Sequence, residues 1–281
     1  MPTQAEKGAA FRALHHRDRA FLIPNPWDAG TARMLQFLGF EAIATTSGGF
    51  AFSLGKPDGG VNRDTMLAHA AALVAATDLP VSADLENGYA DEPARVAETI
   101  RMAAAVGLTG ASIEDVGPNR ERGPYELAFA TERVRAAAEA AHSLPFPFTL
   151  TARSENFIIG RPDLRDTITR LQAFQEGGAD VLFAPGLRTK EDITTVVRSV
   201  DRPVNVIMGL QGVPLGVAEL SEIGVKRISV GSALARTALG AFVRAAKEMK
   251  DHGTFTFAED APKYADLNAM FARKSAAGDH S

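Results

Sequence analysis

The sequence V-S-A-D-L-E-N-G-Y, residues 81 to 89, has the pattern of a strand that ends in a turn. Its side chains alternate, so Ser82, Asp84 and Glu86 share one face and the apolar residues share the other. Two carboxylates this close repel each other unless a cation lies between them or one of them keeps its proton. The stretch therefore predicts a strand that presents an acidic pair at its C-terminal end. A solvated acidic turn is the alternative.

The composition is that of an ordinary globular protein: 281 residues, 46% of them hydrophobic and 23% charged. The formal net charge of −4 gives no electrostatic support for nucleic-acid binding. The absence of cysteine excludes disulfides, thiolate zinc sites and a cysteine nucleophile. No apolar run approaches membrane-spanning length, and the N-terminus lacks a signal-peptide core. We therefore expect a cytoplasmic protein with no membrane partner.

Short β-like runs alternate with alanine-rich helical stretches along the chain. The predicted strands are 21–23, 41–46, 81–89, 110–113, 148–152, 180–183, 203–207 and 226–230. The predicted helices between and after them are 28–38, 64–77, 92–106, 125–142, 163–176, 190–200, 214–223 and 232–251, with Asp28 and Asp64 as N-caps.

Eight strand–helix units in about 230 residues match the count and size of a (β/α)8 TIM barrel. A doubly wound open sheet is the rival, but no G-x-G-x-x-G follows the first strand. No Pro/Ser-rich linker divides the chain, so we expect one barrel domain over residues 1–281. Its helical tail would begin at about residue 254, with a terminal helix at 261–273.

Active sites of such barrels lie at the C-terminal ends of the strands. The predicted ends of strands two to five carry Ser47, Asp84, Glu86, Glu114 and Arg153. All-oxygen ligands suit a hard cation such as Mg²⁺. An arginine beside them suits a substrate carboxylate or phosphonate. The alternative is a buried salt-bridge network that closes the barrel.

Strand alternation extends this prediction to the barrel wall. Ser112 shares its parity with Glu114, and Thr151 shares its parity with Arg153. We therefore expect both to face the barrel interior, while Ile113 and Leu150 pack under the helices.

Three further features have two interpretations each. Ser47 and the amides after it have the pattern of an anion cradle, not of a nucleophile elbow. Trp27 is either a wall over the substrate or a core residue. Gly231-Ser232 is either a phosphate-binding turn or a plain helix cap.

These motifs resemble the isocitrate lyase / phosphoenolpyruvate mutase superfamily. The most specific are T-S-G-G-F-A-F-S-L-G-K-P-D at 46–58, A-D-L-E-N-G-Y at 83–89, I-E-D at 113–115 and T-A-R-S-E-N-F at 151–157. The resemblance implies a barrel whose terminal helix is exchanged between subunits of a homodimer or homotetramer. It also implies Mg²⁺, with Mn²⁺ as an alternative.

The resemblance assigns roles to individual residues. Asp84 would be the chief metal ligand, with Asp58, Glu86 and Glu114 supporting the ion mostly through waters. Ser47 and Gly48 would hold the carboxylate and 2-oxo group of a small carboxylate substrate. Arg153 would be the second anchor.

The loop after the fourth predicted strand departs from the lyase pattern. Isocitrate and methylisocitrate lyases carry K-[KR]-C-G-H there, whereas this chain has V-G-P-N-R-E-R-G-P-Y at 116–125. The sequence therefore argues against those two activities. Asn119 and Arg120 or Arg122 are expected to reach the substrate, as in the mutase branch, whose longer lysine-containing loop is also absent. We expect a mobile lid; a static surface turn is the alternative.

The sequence thus predicts an Mg²⁺-dependent enzyme that cleaves a C–C or P–C bond in a small 2-oxo or 2-hydroxy carboxylate through an enolate. Lyase, decarboxylase and phosphonopyruvate-hydrolase chemistry all fit this description. A phosphoenolpyruvate mutase-type isomerase and a barrel that only binds a carboxylate are the alternatives.

Overall fold

The computed structural model of the protein describes residues 2–272, and its strands form a parallel barrel. They are β1 Phe21–Ile23, β2 Ile43–Ala44, β3 Val81–Asp84, β4 Gly110–Glu114, β5 Thr149–Arg153, β6 Val181–Phe183, β7 Val204–Ile207 and β8 Arg227–Ser229. Strands from β2 to β8 pair in sequence order, and β8 pairs with β1. Between β1 and β2, the two strands that remain to close the barrel, the Ala44 amide donates to the Pro24 carbonyl at 3.1 Å. The predicted (β/α)8 barrel is confirmed.

The eight predicted barrel helices are present, and a short helix at Ser47–Ser53, which was not predicted, follows β2. The helices are α1 Gln4–Leu14, α2 Ala29–Phe37, α3 Ser47–Ser53, α4 Arg63–Ala76, α5 Pro93–Ala105, α6 Leu127–His142, α7 Leu164–Glu176, α8 Lys190–Arg198, α9 Val217–Ile223, α10 Ala233–His252 and α11 Tyr264–Phe271. Asp28 caps α2 as predicted, because its carboxylate accepts the Thr31 amide at 2.7 Å. The predicted cap of α4 is wrong. Asn62 accepts the Thr65 amide at 2.9 Å there, and Asp64 lies within the first turn.

Helix α1 was not predicted, and it closes the N-terminal end of the barrel. It begins with a capping box in which Thr3 and Glu6 satisfy each other's backbone amides. Phe11 and Leu14 from this helix form a buried cluster with Phe21 of β1. The closed end leaves the opposite mouth as the open end of the barrel.

The alternation predicted for β4 and β5 is confirmed. Ile113 and Leu150 belong to the hydrophobic layer between sheet and helices. Ser112 lines the interior cavity, and the Thr151 hydroxyl accepts a hydrogen bond from Arg227 across the barrel at 3.0 Å.

His15 should make the protein sensitive to acid. Burial and the nearby Arg227 lower the pKa of His15 to about 3, against about 6.5 in an unfolded chain. Between these two pKa values the unfolded state binds a proton on His15 and the folded state does not. Stability therefore falls as the pH drops below about 6.5. When the pH falls from about 7 to about 4.5, the free energy of unfolding should decrease by about 2–3 kcal/mol less in His15→Phe than in the wild type. Urea unfolding at both pH values measures this difference, and identical losses in the two proteins would contradict it.

The C-terminal helices carry much of the exposed apolar surface. Of the 20 residues of α10, only Ala235 is buried, and Phe242 is 69% exposed. The predicted terminal helix corresponds to α11, with residue 273 outside the described residues. It packs on α2 of the same chain, where the Arg33 guanidinium lies 5.8 Å from the centroid of the Phe271 ring. Between residues 2 and 272, no helix has the length and apolarity needed to cross a membrane.

Candidate active site

The C-terminal ends of the strands surround a cavity of about 210 Å³. Polar side chains on its wall come from six strands or the loops that follow them, and they include Asn25, Ser47, Asp58, Asp84, Ser112, Glu114, Arg120, Arg153, Glu155, Arg227, Ser229 and Ser232. This is the end of the barrel at which the sequence predicted the site.

Arg153 lies at the centre of this group and is 12% exposed. Its Nη1 donates to Asp84 Oδ1 at 2.9 Å, and its Nε donates to Glu155 Oε1 at 3.0 Å. Its Nη2 lies 3.4 Å from Glu114 Oε2. Burial lowers the pKa of Arg153, but the carboxylates of Glu155, Asp84 and Glu114 raise it by more than burial lowers it, so the net shift is upward. Arg153 therefore remains a cation and holds three acidic side chains together.

Glu114 is buried at the end of β4 between two arginines. Arg120, from the following loop, donates to Glu114 Oε1 at 2.9 Å and to Glu155 Oε2 at 3.3 Å. Burial and the Glu155 carboxylate raise the pKa of Glu114 well above its usual range, while Arg153 and Arg120 oppose the shift. The loop arginine thus completes a network of alternating charges over the cavity.

Asp84 ends β3 and receives a hydrogen bond from the Ser47 hydroxyl at 3.1 Å. Glu86 follows in a left-handed conformation with φ of 49°, so strand parity no longer decides where its side chain points. Its Oε1 is buried without a hydrogen-bond partner. Burial, Asp84 and Asp58 raise the pKa of Glu86 to about 7. The turn therefore brings Glu86 near Asp84 with one oxygen unsatisfied.

Gly48 permits a close approach between α3 and the loop that carries Asp58. A Cβ atom at Gly48 would lie 3.3 Å from the Asp58 carboxyl group. The Thr46 hydroxyl caps α3 by accepting the Gly49 amide at 3.2 Å. Ser47, Gly48 and Asp58 consequently reach the cavity together.

The donor set fits Mg²⁺. The acidic groups offer only oxygen atoms, and like-charged carboxylates next to an unsatisfied buried oxygen on Glu86 favour a cation nearby. In the chain from residue 2 to 272, no three His, Cys, Asp or Glu side chains form a ready-made metal cage. Mg²⁺ in enzyme sites uses one or two carboxylates together with waters and substrate oxygens, and Asp58 and Asp84 line the cavity.

The loop 116–125 is anchored at both ends and at its tip. Val116 and Pro124 form an antiparallel bridge, and Arg161 donates to the Glu121 carbonyl at 2.5 Å. Gly123 has a φ of 81°, and a Cβ atom there would collide with the Arg161 guanidinium. The loop folds against the cavity.

Four of the predicted site residues lie outside the cavity wall. The Asn119 side chain accepts the Glu121 amide at 3.2 Å, and Arg122 is exposed. Trp27 is half-buried, and Glu86 lies at the turn described above. Of the loop residues proposed to reach the substrate, Arg120 alone lines the cavity.

Two charged residues of the cavity wall were not in the predicted set. Glu155 lies two positions beyond Arg153 and is buried, with its amide donating to Asp115 Oδ1 at 2.9 Å. Arg227 lies on β8. The sequence signal for it is parity, because Arg227 alternates with Ile228 and shares the inward side of Ser229.

A sequence model described as phosphoenolpyruvate phosphomutase matches residues 11–250. The chain belongs to this family. The resemblance predicted from the strand-end motifs is therefore confirmed, and its superfamily consists of lyases, hydrolases and mutases such as those below.

The most informative relatives cover nearly the whole chain. A crystal structure of a candidate lyase/mutase from Burkholderia cenocepacia J2315 is 58% identical, with a TM-score of 0.94, and the match covers 96% of this chain and 97% of that one. An uncharacterized protein of Mycobacterium tuberculosis is 33% identical over 92% of this chain and 95% of its own length.

Two further relatives have named activities. The 2-methylisocitrate lyase of Halalkalibacterium halodurans is 27% identical over 90% of this chain and 85% of its own length. The structure of oxaloacetate acetylhydrolase with its product oxalate is 25% identical, with a TM-score of 0.84, covering 96% of this chain and 95% of that one. This chain is accordingly an enzyme of the isocitrate lyase / phosphoenolpyruvate mutase superfamily.

Proposed function

We propose that the protein is an Mg²⁺-dependent enzyme that cleaves a C–C or P–C bond in a small 2-oxo or 2-hydroxy carboxylate. The observation that carries this proposal is the cavity in which Ser47, Asp84 and Arg153 meet by direct contacts. Those three groups offer a hydroxyl donor, a metal ligand and a cation around a volume suited to a small acid. Relatives that act on oxaloacetate and 2-methylisocitrate support the substrate class.

Asp84 would be the chief ligand of Mg²⁺, with Asp58, Glu86 and Glu114 supporting it mostly through waters; Mn²⁺ is an alternative ion. When bound, the metal would supply Lewis-acid stabilisation of negative charge on the substrate's oxygens. The buried Glu86 Oε1, which has no hydrogen-bond partner in the structure, supports this assignment because it is free to accept a water of the metal.

The protein's own groups act on the charge that the reaction creates. When the bond between the carbon next to the oxo group of a 2-oxo acid and its departing group breaks, a carboxyl group leaves as CO₂ or a phosphoryl group passes to an acceptor. The electron pair of that bond forms the C=C bond of an enolate, and the π electrons of the carbonyl group move onto the oxo oxygen. The Ser47 hydroxyl, which donates to Asp84 in the structure, and the Gly48 amide both line the cavity. We assign them the role of hydrogen-bond donors to that oxygen when substrate is bound. Arg153 anchors the carboxylate or phosphonate in fork geometry. With a phosphonate substrate, the leaving phosphoryl group passes to water, and a proton completes pyruvate.

A mutase is the second candidate, favoured by the loop 116–125. Arg120 draws this loop against Glu114 and Glu155 over the cavity. A lid that excludes water would let a detached phosphoryl group return to the enolate oxygen, which gives an isomer in place of a hydrolysis product.

A turnover screen tests the proposal. The protein is incubated with Mg²⁺ and oxaloacetate, phosphonopyruvate, methylisocitrate or alkylmalates, and the products are resolved by ¹H and ³¹P NMR. We expect at least one substrate to be cleaved, and chelation of Mg²⁺ to stop the reaction. Phosphoenolpyruvate from phosphonopyruvate would identify a mutase. Oxalate binding without any turnover would identify a barrel that only binds carboxylates.

Arg120→Ala should lower kcat/KM by about tenfold or more, which is about 1.4 kcal/mol. Its guanidinium contacts Glu114 at the cavity and offsets the charge of a dianionic substrate. Arg122→Ala is the matched control, because Arg122 lies in the same loop but does not line the cavity. Steady-state kinetics on both variants give the comparison. Equal kinetics in wild type and Arg120→Ala would mean that the loop has no part in turnover.

We also propose that the protein forms the homodimer or homotetramer that the family resemblance implies, and that a second copy of the chain covers α10. The helix exposes Leu239, Phe242, Val243 and Met249 along its length, a patch of the kind that marks an interface. Phe242→Asp should therefore reduce the molar mass measured by light scattering after gel filtration. Lys250→Asp on the same helix is the control, and a monomeric wild type would contradict the assembly.

A further inference from the structure

Arg227 is a second arginine inside the barrel, one layer closer to the N-terminal end than Arg153. It is 4% exposed and lines the same cavity as Ser47 and Asp84. Its Nη1 donates to the hydroxyl of Thr151, which precedes Arg153 by two positions on β5. The floor of the cavity therefore carries a buried guanidinium.

The three arginines of the cavity differ in their partners. Arg153 and Arg120 are compensated by Asp84, Glu114 and Glu155. Arg227 forms no ion pair in the chain from residue 2 to 272.

Arg153 and Asp84 act on Arg227 through their charges, but the groups next to it are neutral. They include the Thr151 hydroxyl, the Asn205 side chain at the paired position of β7, and the Phe11 ring, whose centroid is 5.9 Å away. The Nε atom of Arg227 has no hydrogen-bond partner. One cation of the cavity therefore lacks an anion.

A buried guanidinium without an anion is costly, because burial removes its hydration without replacing it by a carboxylate. Burial and the nearby Arg153 lower the pKa of Arg227 to about 10, so it remains charged at neutral pH. Its planar fork matches a carboxylate in two parallel hydrogen bonds. A hydrophobic residue of similar size at position 227 would fill the barrel interior without the cost of burying a charge.

We propose that Arg227 forms an anion subsite for a carboxylate group at the floor of the cavity, separate from the anchor at Arg153. This inference rests on the proposed function, because both place the substrate in the same cavity. The carboxylate comes either from the far end of the substrate or from a free small carboxylate bound beside it.

Calorimetric titration of the Mg²⁺-loaded full chain separates these sources. The two carboxylates of oxalate are directly joined, so oxalate bound at the metal is too short to reach Arg227 as well. Malate carries a carboxylate at each end of a four-carbon chain and can reach both sites. Arg227→Met should weaken malate binding by about tenfold or more and oxalate binding by less than about threefold. If the ligand is a free carboxylate, acetate will bind to the wild-type oxalate complex and not to that of Arg227→Met.

Three results would overturn the subsite. The first is unchanged binding of oxalate, malate and acetate in Arg227→Met, and the second is an equal loss for oxalate and malate. Arg227→Lys keeps the positive charge but loses the planar guanidinium group. It replaces Arg227→Met in the titrations if the methionine variant does not fold. We expect it to weaken malate binding less than methionine does, with oxalate unaffected. Unchanged malate and acetate binding in Arg227→Lys would be the third.

The same titrations without Mg²⁺ test the proposed function separately. Oxalate binding that is independent of Mg²⁺ would reject the metal chemistry, while an Arg227-dependent loss of malate would still support the subsite. Oxalate binding that depends on Mg²⁺, with malate indifferent to Arg227 and acetate not bound, would reject the subsite alone. A wild type that binds none of these ligands would reject both.

Discussion

Replacing Asp84 by alanine should abolish Mg²⁺-dependent turnover and leave the fold intact. We expect kcat/KM to fall by about 1,000-fold or more, or about 4 kcal/mol of transition-state stabilisation, because the chief metal ligand is lost. Asp84 also fixes the Ser47 hydroxyl and one arm of Arg153. Its side chain is 20% exposed, so its removal leaves no large cavity in the core. Steady-state kinetics over a Mg²⁺ titration, with circular dichroism for the fold, measure both effects.

Asp58→Ala is the matched control for this experiment. Asp58 lines the same cavity, but we assign it a supporting role through waters. Its loss should therefore weaken the apparent Mg²⁺ affinity and lower turnover by less than the loss of Asp84. An Asp84→Ala variant with full, Mg²⁺-stimulated activity would remove Asp84 from the site.

Arg153→Met should destabilise the protein as well as inactivate it. The substitution leaves Asp84, Glu114 and Glu155 close together without their shared cation. Breaking a buried ion pair from one side costs about 3–5 kcal/mol. We therefore expect a loss of this size in the free energy of unfolding, measured by urea denaturation at neutral pH.

Arg153→Lys separates stability from substrate anchoring. Lysine keeps the positive charge among the three carboxylates but cannot offer the planar fork. It should recover much of the lost stability while kcat/KM stays reduced by about 100-fold, or about 2.7 kcal/mol. A lysine variant with wild-type kinetics would show that fork geometry at Arg153 is not needed. A stable methionine variant would contradict the proposed charge balance.

Strand alternation explains how much of the site could be predicted. Asp84, Glu114 and Arg153 each end a strand, and residues at the same parity point into one barrel. The pattern therefore predicted that they meet at one mouth of the barrel, with the polar Ser112 and Thr151 below them. Repetition of the strand–helix unit was equally informative, because eight repeats leave few architectures open.

Contacts made by side chains in turns and loops could not be predicted in the same way. Glu86 sits after the strand, in a turn whose left-handed backbone breaks the alternation. Arg120 reaches Glu114 from the loop 116–125, which Arg161 also contacts, and no local pattern encodes either contact. The capping box at Thr3 and Glu6 was a readable signal for α1, but helix packing beneath the barrel was not.

Oxalate binding with and without Mg²⁺ tests the central claim most directly, because the account places the metal and a 2-oxo acid in one site. Calorimetry on the wild-type chain should show that Mg²⁺ raises the affinity for oxalate and that oxalate raises the affinity for Mg²⁺ by the same factor, as thermodynamic linkage requires. We expect that factor to be about tenfold or more, and to vanish in Asp84→Ala. Oxalate that binds equally well with and without Mg²⁺ would contradict the account.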